Sequence, residues 1–362
     1  MTHSSVSIIL PTFEEAENLP AMIDAIATLR SGDLPGAELL IVDDNSQDGT
    51  EELVDALDLS WVRLITRRGE RGLSSAVIRG LAKATGDIFV VMDADGSHPV
   101  DAIPRMVAAL VDGGDFAVGS RYVPGGTTED GWGVLRWINS KIATIMARVF
   151  TRVKDPMSGF LAMRRETWEQ ADTLDPIGYK IGLELIVKCG CRNVVEVPIH
   201  FRTRQEGQSK LTLRVQWEYL VHCIRLYRYT HPKHVSFLTF AAVGASGVIV
   251  YLAALMVTSS VIPTRWLAIG IAVLVAMTWN FIFDRLWAFW YARRRNIALE
   301  YFGFVAICTV GAGVNGGMTL WLSSTISLPV AGLIGAAIGS AVGLIVNFIL
   351  SRLLVFRRQG PR

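Results

Sequence analysis

Acidic residues are almost absent from the last third of this 362-residue chain. Of its 33 Asp and Glu residues, only Asp284 and Glu300 follow residue 230. The stretches 235–264, 266–283 and 301–351 contain no charged residue. Apolar stretches of about 18 residues or more are long enough to cross a bilayer. This pattern excludes a wholly soluble protein and predicts a membrane part.

The first part of the chain lacks the excess of positive charge that nucleic-acid binding would need. Residues 1–230 carry 25 Lys and Arg against 31 Asp and Glu, a formal charge of −6, whereas 231–362 carry 10 against 2. A negatively charged domain has no general affinity for polyanions. We therefore expect no nucleic-acid partner.

Cysteines are few, and their spacing matches no zinc or disulfide framework. The chain has four of them, Cys189, Cys191, Cys223 and Cys308. We expect buried, inert thiols. The first ten residues, MTHSSVSIIL, lack a basic flank and hold only a short apolar run, which suits a strand better than a signal peptide. The first part of the chain is therefore expected in the cytosol.

Short apolar segments alternate with helix-like segments through the first part of the chain. This alternation is typical of an α/β, Rossmann-like domain with a mostly parallel sheet. In such sheets, ligands bind at the carboxyl ends of the strands. The predicted strands are 6–11, 38–44, 62–66, 87–93 and 115–120.

Two of these strand ends are acidic, at Asp43-Asp44 and at Asp93-Ala94-Asp95. An Asp-x-Asp directly after an apolar strand can hold a hard divalent cation while leaving coordination positions open for diphosphate oxygens. Acidic turn residues also end many strands without any such role, and Asp43-Asp44 is compatible with a turn. Two acidic ends in one sheet favour the metal and diphosphate interpretation.

The membrane part divides into four predicted spans, 235–258, 266–290, 301–323 and 330–355. Basic residues cluster before the first span, between the second and third, and after the fourth, while Arg265 alone lies in the other loops. By the positive-inside rule, both termini and the catalytic domain face the cytoplasm.

The membrane part also contains an internal repeat. A shift of 67 residues aligns Asn280-Phe281-Ile282 with Asn347-Phe348-Ile349, and Arg285-Leu286 with Arg352-Leu353. The repeating unit is a two-helix hairpin. Arg285 and Arg352 either snorkel to the interface or form a pair of cations that holds a lipid phosphate.

Two amphipathic, basic helices are predicted at 135–149 and 213–227. Such helices ahead of a membrane domain can lie in the lipid interface. Packing against the sheet, with the cations in solvent, explains the same pattern, so both interpretations stay open.

Six motifs together resemble a known family. They are PTFEEAEN at 11–18, VDDNS at 42–46, DAD at 93–95 with His98-Pro99, GSRYVPGG at 119–126, DPMSGF at 155–160 and GQSK at 207–210. They resemble the family 2 glycosyltransferases called dolichol-phosphate (polyprenol-phosphate) mannosyltransferases. Residues 235–356 resemble the GtrA-like four-helix membrane domain attached to some of them.

The resemblance implies a GT-A-type glycosyltransferase domain at 1–210, an interfacial helix or linker at 211–234, and a GtrA-like transmembrane domain at 235–362. It implies an inverting transfer of mannose from GDP-mannose to a polyprenyl (dolichyl-type) phosphate, with Mg²⁺ or Mn²⁺ as the cofactor. The expected partners are these two substrates and the lipid bilayer, and a homo-oligomer is left open.

Site residues follow from the resemblance, position by position. The nucleoside pocket would be lined by Pro11, Phe13, Glu15, Val42 and Asp44. Asp93 and Asp95, with Ala94 between them, would bind the metal, and Arg121 and Lys180 would contact the donor or phosphates. The acceptor phosphate would be held by Arg136, Ser140, Arg204 and Lys210. The predicted catalytic residues are Asp95, Arg121, Arg204 and Lys210.

One departure from the family pattern concerns the metal. The family usually has Leu-Gln after its Asp-Ala-Asp, whereas this chain has Gly96-Ser97. Ser97 would then be a shorter third ligand, which puts the strength and choice of the metal in doubt.

Other functions compete with this interpretation. A glucosyl or aminosugar transferase acting on the same lipid carrier would differ only in its hexose pocket. A processive polysaccharide synthase is less favoured, because Gly133 stands where the glutamine of its Gln-x-x-Arg-Trp would precede Arg136-Trp137. The membrane half could translocate lipid-linked sugar or only anchor the enzyme, since parallel repeats occur in transporters.

Overall fold

The computed structural model describes residues 4–129, 134–178, 180–202, 213–292, 296–325 and 331–357. The chain forms two compact units, Met1–Thr230 and His231–Arg362. The first unit therefore extends beyond the predicted boundary at residue 210. It includes the helix Leu213–Thr230, which lies in the segment predicted as an interfacial helix or linker.

The strands of the first unit, among the described residues, are β1 Val6–Thr12, β2 Glu38–Asp43, β3 Val62–Thr66, β4 Ile88–Val91, β5 Phe116–Ser120, β6 Thr127–Thr128, β7 Leu161–Arg164, β8 Val194–Pro198 and β9 His200–Phe201. Its helices are α1 Leu19–Ser31, α2 Thr50–Leu57, α3 Leu73–Leu81, α4 Ile103–Val111, α5 Val134–Ala147, α6 Arg165–Glu169, α7 Ile181–Lys188 and α8 Leu213–Thr230, with a 3₁₀ turn at Val100–Ala102.

The main sheet has the strand order β3-β2-β1-β4-β7-β5-β8. All neighbours pair in parallel except β7, which runs antiparallel to both β4 and β5. The predicted mostly parallel sheet is confirmed, with β1 to β5 at the predicted places. Sequence reasoning missed β7 and β8, and β7 is only four residues long.

Alternating side chains fix this sheet between two helical layers. On β1, Ile8 and Leu10 join the core cluster that includes α1 and α4, whereas Ile9 joins the cluster that includes α3 and α7. Successive strand residues point to opposite faces, so a strand buried on both faces is apolar throughout. The parallel strands therefore bring the residues that follow β1, β2 and β4 to one edge of the sheet.

Helices α5 and α8 each have one packed face and one exposed face. One face of each packs in a small core with α7 that contains Ala147, Leu183, Tyr219 and Leu226. The other face exposes large apolar side chains, Ile142 and Ile145 on α5 and Trp217, Leu220 and Ile224 on α8. The helices pack on α7 rather than on the sheet, and they keep an apolar face uncovered within the unit.

The second unit contains four long apolar helices among its described residues. They are α9 Pro232–Val261, α10 Arg265–Phe283, α11 Ile297–Thr325 and α12 Ala331–Leu350. A π-helical segment extends α10 over Asp284–Ala288 and α12 over Ser351–Val355. All four helices are long and apolar enough to cross a membrane, as predicted.

Aromatic contacts in this unit follow the 67-residue offset. Phe281 of α10 packs on Phe304 of α11 with ring centroids 5.8 Å apart, and Phe348 of α12 packs on Phe237 of α9 at 5.2 Å. Phe289 and Phe356, which are also 67 residues apart, stack on each other at 4.6 Å and 13°. The two π-helical segments occupy equivalent positions as well. The two hairpins are thus related by an approximate twofold arrangement.

Candidate active site

A cavity of about 560 Å³ lies within the first unit, beside the carboxyl ends of β1, β2 and β4. Its polar side is formed by residues that follow these strands, among them Glu15, Asp44, Asp93 and Asp95. Its apolar side comes largely from α5, α8 and the segment before β7, through Ile142, Ala143, Met146, Met157, Val215 and Tyr219. One cavity thus joins a carboxylate-rich side to an apolar wall.

Hydrogen bonds within the loop after β4 hold the backbone of Asp93 and the carboxylate of Asp95. The Asp93 backbone N–H donates to Nδ1 of His98 at 3.0 Å, and the Ser97 backbone N–H donates to Oδ1 of Asp95 at 3.0 Å. Gly96 makes the turn between them at φ +71°, a conformation that favours glycine. His98 is buried and stacks on Phe160. Burial lowers the pKa of His98, which keeps Nδ1 available as the acceptor.

Asp93 and Asp95 fit a site for a divalent cation. A Cβ at Gly159 would lie in van der Waals contact with both carboxylate oxygens of Asp93, at 3.4 Å, so the glycine leaves space beside this carboxylate. Within the described ranges, no group of three or more His, Cys, Asp or Glu side chains could hold a metal. Two carboxylates suffice for Mg²⁺, which usually keeps waters and binds substrate phosphates as well.

Arg121 is fixed by a buried carboxylate. Its Nε and Nη2 donate to the two oxygens of Asp155 at 2.7 and 2.8 Å, and its backbone N–H donates to Oδ2 at 3.0 Å. Glu196 in turn accepts from the backbone N–H groups of Lys154 and Asp155 at 2.9 and 3.1 Å. A bidentate pair fixes the plane of the guanidinium. Asp155 therefore sets how Arg121 faces the cavity.

Lys180 lies at the junction of the polar and apolar sides of the cavity. Its Nζ lies 5.0 Å from the ring centroid of Tyr219 and 3.0 Å from Sδ of Met157. Tyr219 is held by its hydroxyl, which donates to the carbonyl of Ala143 at 3.0 Å. Burial, with repulsion from Arg121, lowers the pKa of Lys180 to about 8.

This pKa predicts a pH dependence. Lys180 is a cation below pH 8 and loses its charge as the pH rises through about 8. If the cation binds an anionic substrate, kcat/KM, which reports ionisations of the free enzyme, falls across that range. The variant Lys180→Arg keeps its charge, so its rate should hold to a higher pH. Identical pH profiles for the two proteins, measured from pH 6.5 to 9.5, would exclude Lys180 as the titrating group.

Asp44 couples the cavity to the loop before α3. Its Oδ1 accepts from Nε of Arg67 at 2.7 Å and its Oδ2 from the Gly72 backbone N–H at 2.7 Å. The same loop brings Arg71 over the ring of Phe13, with the guanidinium carbon 4.9 Å from the centroid. Arg71 and Phe13 both line the cavity. Asp44 therefore pins the segment that carries Arg71.

The structure brings most of the predicted site residues together. Those that line the cavity are Pro11, Phe13, Glu15, Asp44, Asp93, Ala94, Asp95, Arg121 and Lys180. Val42 and Ser97 do not line it. Val42 is fully buried in β2 on the face that packs on α3, where it lies close to Gly80. Ser97 is also fully buried, and its Oγ has no hydrogen-bond partner among the described residues.

Four predicted acceptor residues fall outside what the structure describes. Arg136 and Ser140 lie on α5, but their side chains are not among the described ones. Arg204 and Lys210 lie in 203–212, outside the described residues. Their roles stay predictions.

Sequence reasoning missed several contributors to the site. Asp155 belongs to a motif that carried the resemblance, but its pairing with Arg121 joins residues 34 apart. Arg71 lies outside the six motifs that carry the resemblance. Tyr219 sits at a core position of an amphipathic helix, and only the packing of α8 brings it to the cavity. His98 follows the Asp-Ala-Asp motif, and its Nδ1 accepts a hydrogen bond from the Asp93 backbone N–H.

Comparisons with known proteins agree with this architecture. Residues 7–170 match the model of glycosyl transferase family 2, and 239–356 match that of the GtrA/DPMS transmembrane domain. The chain is 39% identical over 315 residues to dolichol-phosphate mannosyltransferase of Pyrococcus furiosus, covering 86% of this chain and 88% of that one. It is 36% identical over 217 residues to polyprenol monophosphomannose synthase of Mycolicibacterium smegmatis, covering 57% and 80%.

Among solved structures, the chain is similar to glucosyl-3-phosphoglycerate synthase of Mycobacterium tuberculosis, determined in complex with Mg²⁺ and UDP. The TM-score is 0.48 at 23% identity, and the match covers 61% of this chain and 79% of that one.

Proposed function

The chain belongs to the dolichol-phosphate mannosyltransferases, family 2 glycosyltransferases that here carry a GtrA-type membrane domain, and from this premise we propose that it transfers mannose from GDP-mannose to a polyprenyl phosphate. The transfer inverts the anomeric centre, takes place at the cytoplasmic face of the membrane, and uses Mg²⁺ or Mn²⁺.

The observation that carries the proposal is the meeting of two carboxylates and two cations in one cavity with an apolar wall. Asp93 and Asp95 lie on its polar side, and Arg121 and Lys180 line it as well. A sugar nucleotide offers a diphosphate that suits the metal and the cations. A lipid phosphate offers an anionic head that needs neutralising and an apolar chain. The arrangement supports both substrates at once.

On the donor side, a bound divalent cation would stabilise the charge that develops on the leaving diphosphate. Asp93 and Asp95 would hold it, with their loop fixed by His98 and by the Ser97 backbone N–H. Phe13 and Arg71, stacked on each other, would contact the nucleoside. Arg121, held in plane by Asp155, would donate to a phosphate oxygen.

On the acceptor side, the lipid phosphate is itself the nucleophile. A phosphate monoester carries a charge of about −1.5 to −2 near pH 7, so no side-chain base is needed. One of its oxygens attacks C1 of mannose, the bond from C1 to the GDP oxygen breaks, and that electron pair leaves with GDP. The products are a mannosyl phosphodiester on the lipid and GDP. Lys180 would offset the repulsion between the two anions.

The sugar nucleotide is tested by offering the purified protein and polyprenyl phosphate a panel of labelled donors. We expect label from GDP-mannose to enter the organic phase, and little from GDP-glucose, UDP-glucose or UDP-N-acetylglucosamine. Faster transfer from another donor would leave the proposed lipid acceptor unchanged but would assign a different sugar to the enzyme.

The uncovered face of α8 predicts a membrane effect. Trp217 and Ile224 are exposed within the unit, with 65% and 53% of their surfaces accessible. The pair of changes Trp217→Ser and Ile224→Ser should raise the apparent KM for a long-chain acceptor in vesicles about tenfold or more, because each buried aromatic or aliphatic side chain contributes about 1.5–3 kcal/mol. Transfer to a short-chain acceptor in detergent should change little. Equal KM effects on both acceptors would refute an interfacial role.

A further inference from the structure

The two hairpins of the membrane unit differ in charge at one pair of equivalent positions. In one half, Nε of Arg285 donates to Oε2 of Glu300 at 2.7 Å, and Glu300 is buried. The residues 67 positions away from this pair are Arg352 and Lys233. An arginine and a glutamate in one half thus become an arginine and a lysine in the other. The two arginines that the sequence aligned are therefore not equivalent.

Helix packing brings Arg352 and Lys233 to the same level. Arg285 and Glu300 each lie four residues from the phenylalanines that join their helices, Phe281 and Phe304. Arg352 and Lys233 lie four residues from Phe348 and Phe237, whose contact is the equivalent one. In each half, the steps from the two phenylalanines to the two charged residues lead toward the same end of the antiparallel helix pair. Residues four apart share a helix face, so the second contact places two cations where the first places an ion pair.

Two buried hydroxyls accompany these cations. Ser351 precedes Arg352, and Ser236 lies one turn after Lys233. Both serines are at most 1% exposed, and their Oγ atoms lack a hydrogen-bond partner in the described part of the chain. Serine hydroxyls in helices usually bond to a carbonyl of the preceding turn. Two unpartnered hydroxyls, one next to Arg352 in the chain and one a turn from Lys233, leave hydrogen-bonding capacity for a ligand beside these cations.

The formal charges of the two halves are opposite in sign. Asp284, the equivalent of Ser351, is a further buried carboxyl group of the half that contains Arg285 and Glu300. That half carries one positive and two negative groups, while the half with Lys233 and Arg352 carries two positive groups and none negative. Within the described residues, Arg352 forms no ion pair. A bound anion would neutralise the cations of the second half, as Glu300 neutralises Arg285 in the first.

We propose that Lys233, Ser236, Ser351 and Arg352 form a binding site for the phosphate monoester of a lipid, within the membrane unit and separate in its residues from the catalytic cavity. A doubly charged phosphate can accept from a guanidinium, an ammonium and two hydroxyls together. The helices are of membrane-spanning length, so a lipid phosphate bound at their ends would have its acyl or isoprenoid chain alongside their apolar surface. Polyprenyl phosphate and phosphatidic acid share this chemistry.

The test counts lipids on the full chain in detergent by native mass spectrometry. The probes are polyprenyl phosphate and phosphatidic acid, with phosphatidylcholine as a diester control and inorganic phosphate as a competitor. Lys233→Glu supplies the carboxylate that Arg352 lacks. We expect this variant to bind one phosphate-monoester lipid fewer than the unmodified protein, or to bind it at least about tenfold more weakly. Its melting temperature should be equal or higher.

Arg265→Glu is the matched control, because it makes the same change in charge at an exposed position on another helix end. It should leave the lipid count unchanged. The lipid whose bound number falls by one in Lys233→Glu is the ligand of the site, either polyprenyl phosphate or phosphatidic acid. Equal lipid counts and affinities in Lys233→Glu and the unmodified protein, or an equal loss in Arg265→Glu, would overturn the proposal. The readout is a difference of one equivalent, so it does not depend on whether the catalytic cavity binds polyprenyl phosphate.

Discussion

Replacing Asp95 by asparagine is expected to lower turnover by at least about a thousandfold, which corresponds to about 4 kcal/mol of transition-state stabilisation. Asp95 lines the cavity and its Oδ1 already accepts a backbone hydrogen bond from Ser97. An amide can keep that bond but removes the negative charge that attracts a divalent cation. The change is nearly isosteric, so the fold should be retained. The measurement is kcat at saturating donor and acceptor, with the melting temperature of each protein.

Asp112→Asn serves as its control. Asp112 is exposed at the end of α4 and outside the cavity, and this variant should retain full activity. Raising the Mg²⁺ or Mn²⁺ concentration should recover part of the lost rate in Asp95→Asn, because one ligand remains. A folded Asp95→Asn enzyme with near-normal turnover would remove the metal assignment.

Replacing Asp155 by asparagine should lower kcat by about a hundredfold and destabilise the protein by about 3 kcal/mol. Asp155 is fully buried and binds Arg121 through both oxygens. Removing one partner of a buried pair leaves the other charge uncompensated. The guanidinium would also lose the fixed plane in which it faces the cavity. We expect the loss mainly in kcat, because in the proposed mechanism a metal ion and other side chains would also bind the donor.

A double-mutant cycle separates positioning from general damage. If Asp155 acts through Arg121, then Arg121→Met with Asp155→Asn should be little slower than Arg121→Met alone, because coupled residues are not additive. Independent effects that multiply in the double variant would show that Asp155 contributes to activity by another route.

The sheet and its acidic edge were predictable because both depend on local patterns. Apolar runs at β1, β2 and β4 mark buried strands, and parallel strands place their ends at one edge. Asp44, Asp93 and Asp95 therefore lie at the same edge of the sheet, however the helices pack against it. The four long helices followed from length and the absence of charge. Each of these inferences uses residues that are close in sequence.

The missed features depend on contacts between distant residues. Arg121 and Asp155 pair across 34 positions, and Tyr219 reaches Lys180 only because α8 packs on α5 and α7. The ion pair of Arg285 with Glu300 was also unforeseen, because the repeat alignment treated Arg285 and Arg352 alike. Ser97 shows a further limit, since the sequence offers a side-chain oxygen where the structure uses the backbone N–H to hold Asp95.

The most direct test of the account is the chemical identity of the product. The purified protein is incubated with GDP-α-mannose, polyprenyl phosphate and Mg²⁺, and the lipid product is analysed by proton and phosphorus NMR. We expect a single phosphodiester between the lipid phosphate and C1 of mannose, in the β configuration. A product with the α configuration, or with mannose on a hydroxyl oxygen and a free phosphate monoester, would contradict it.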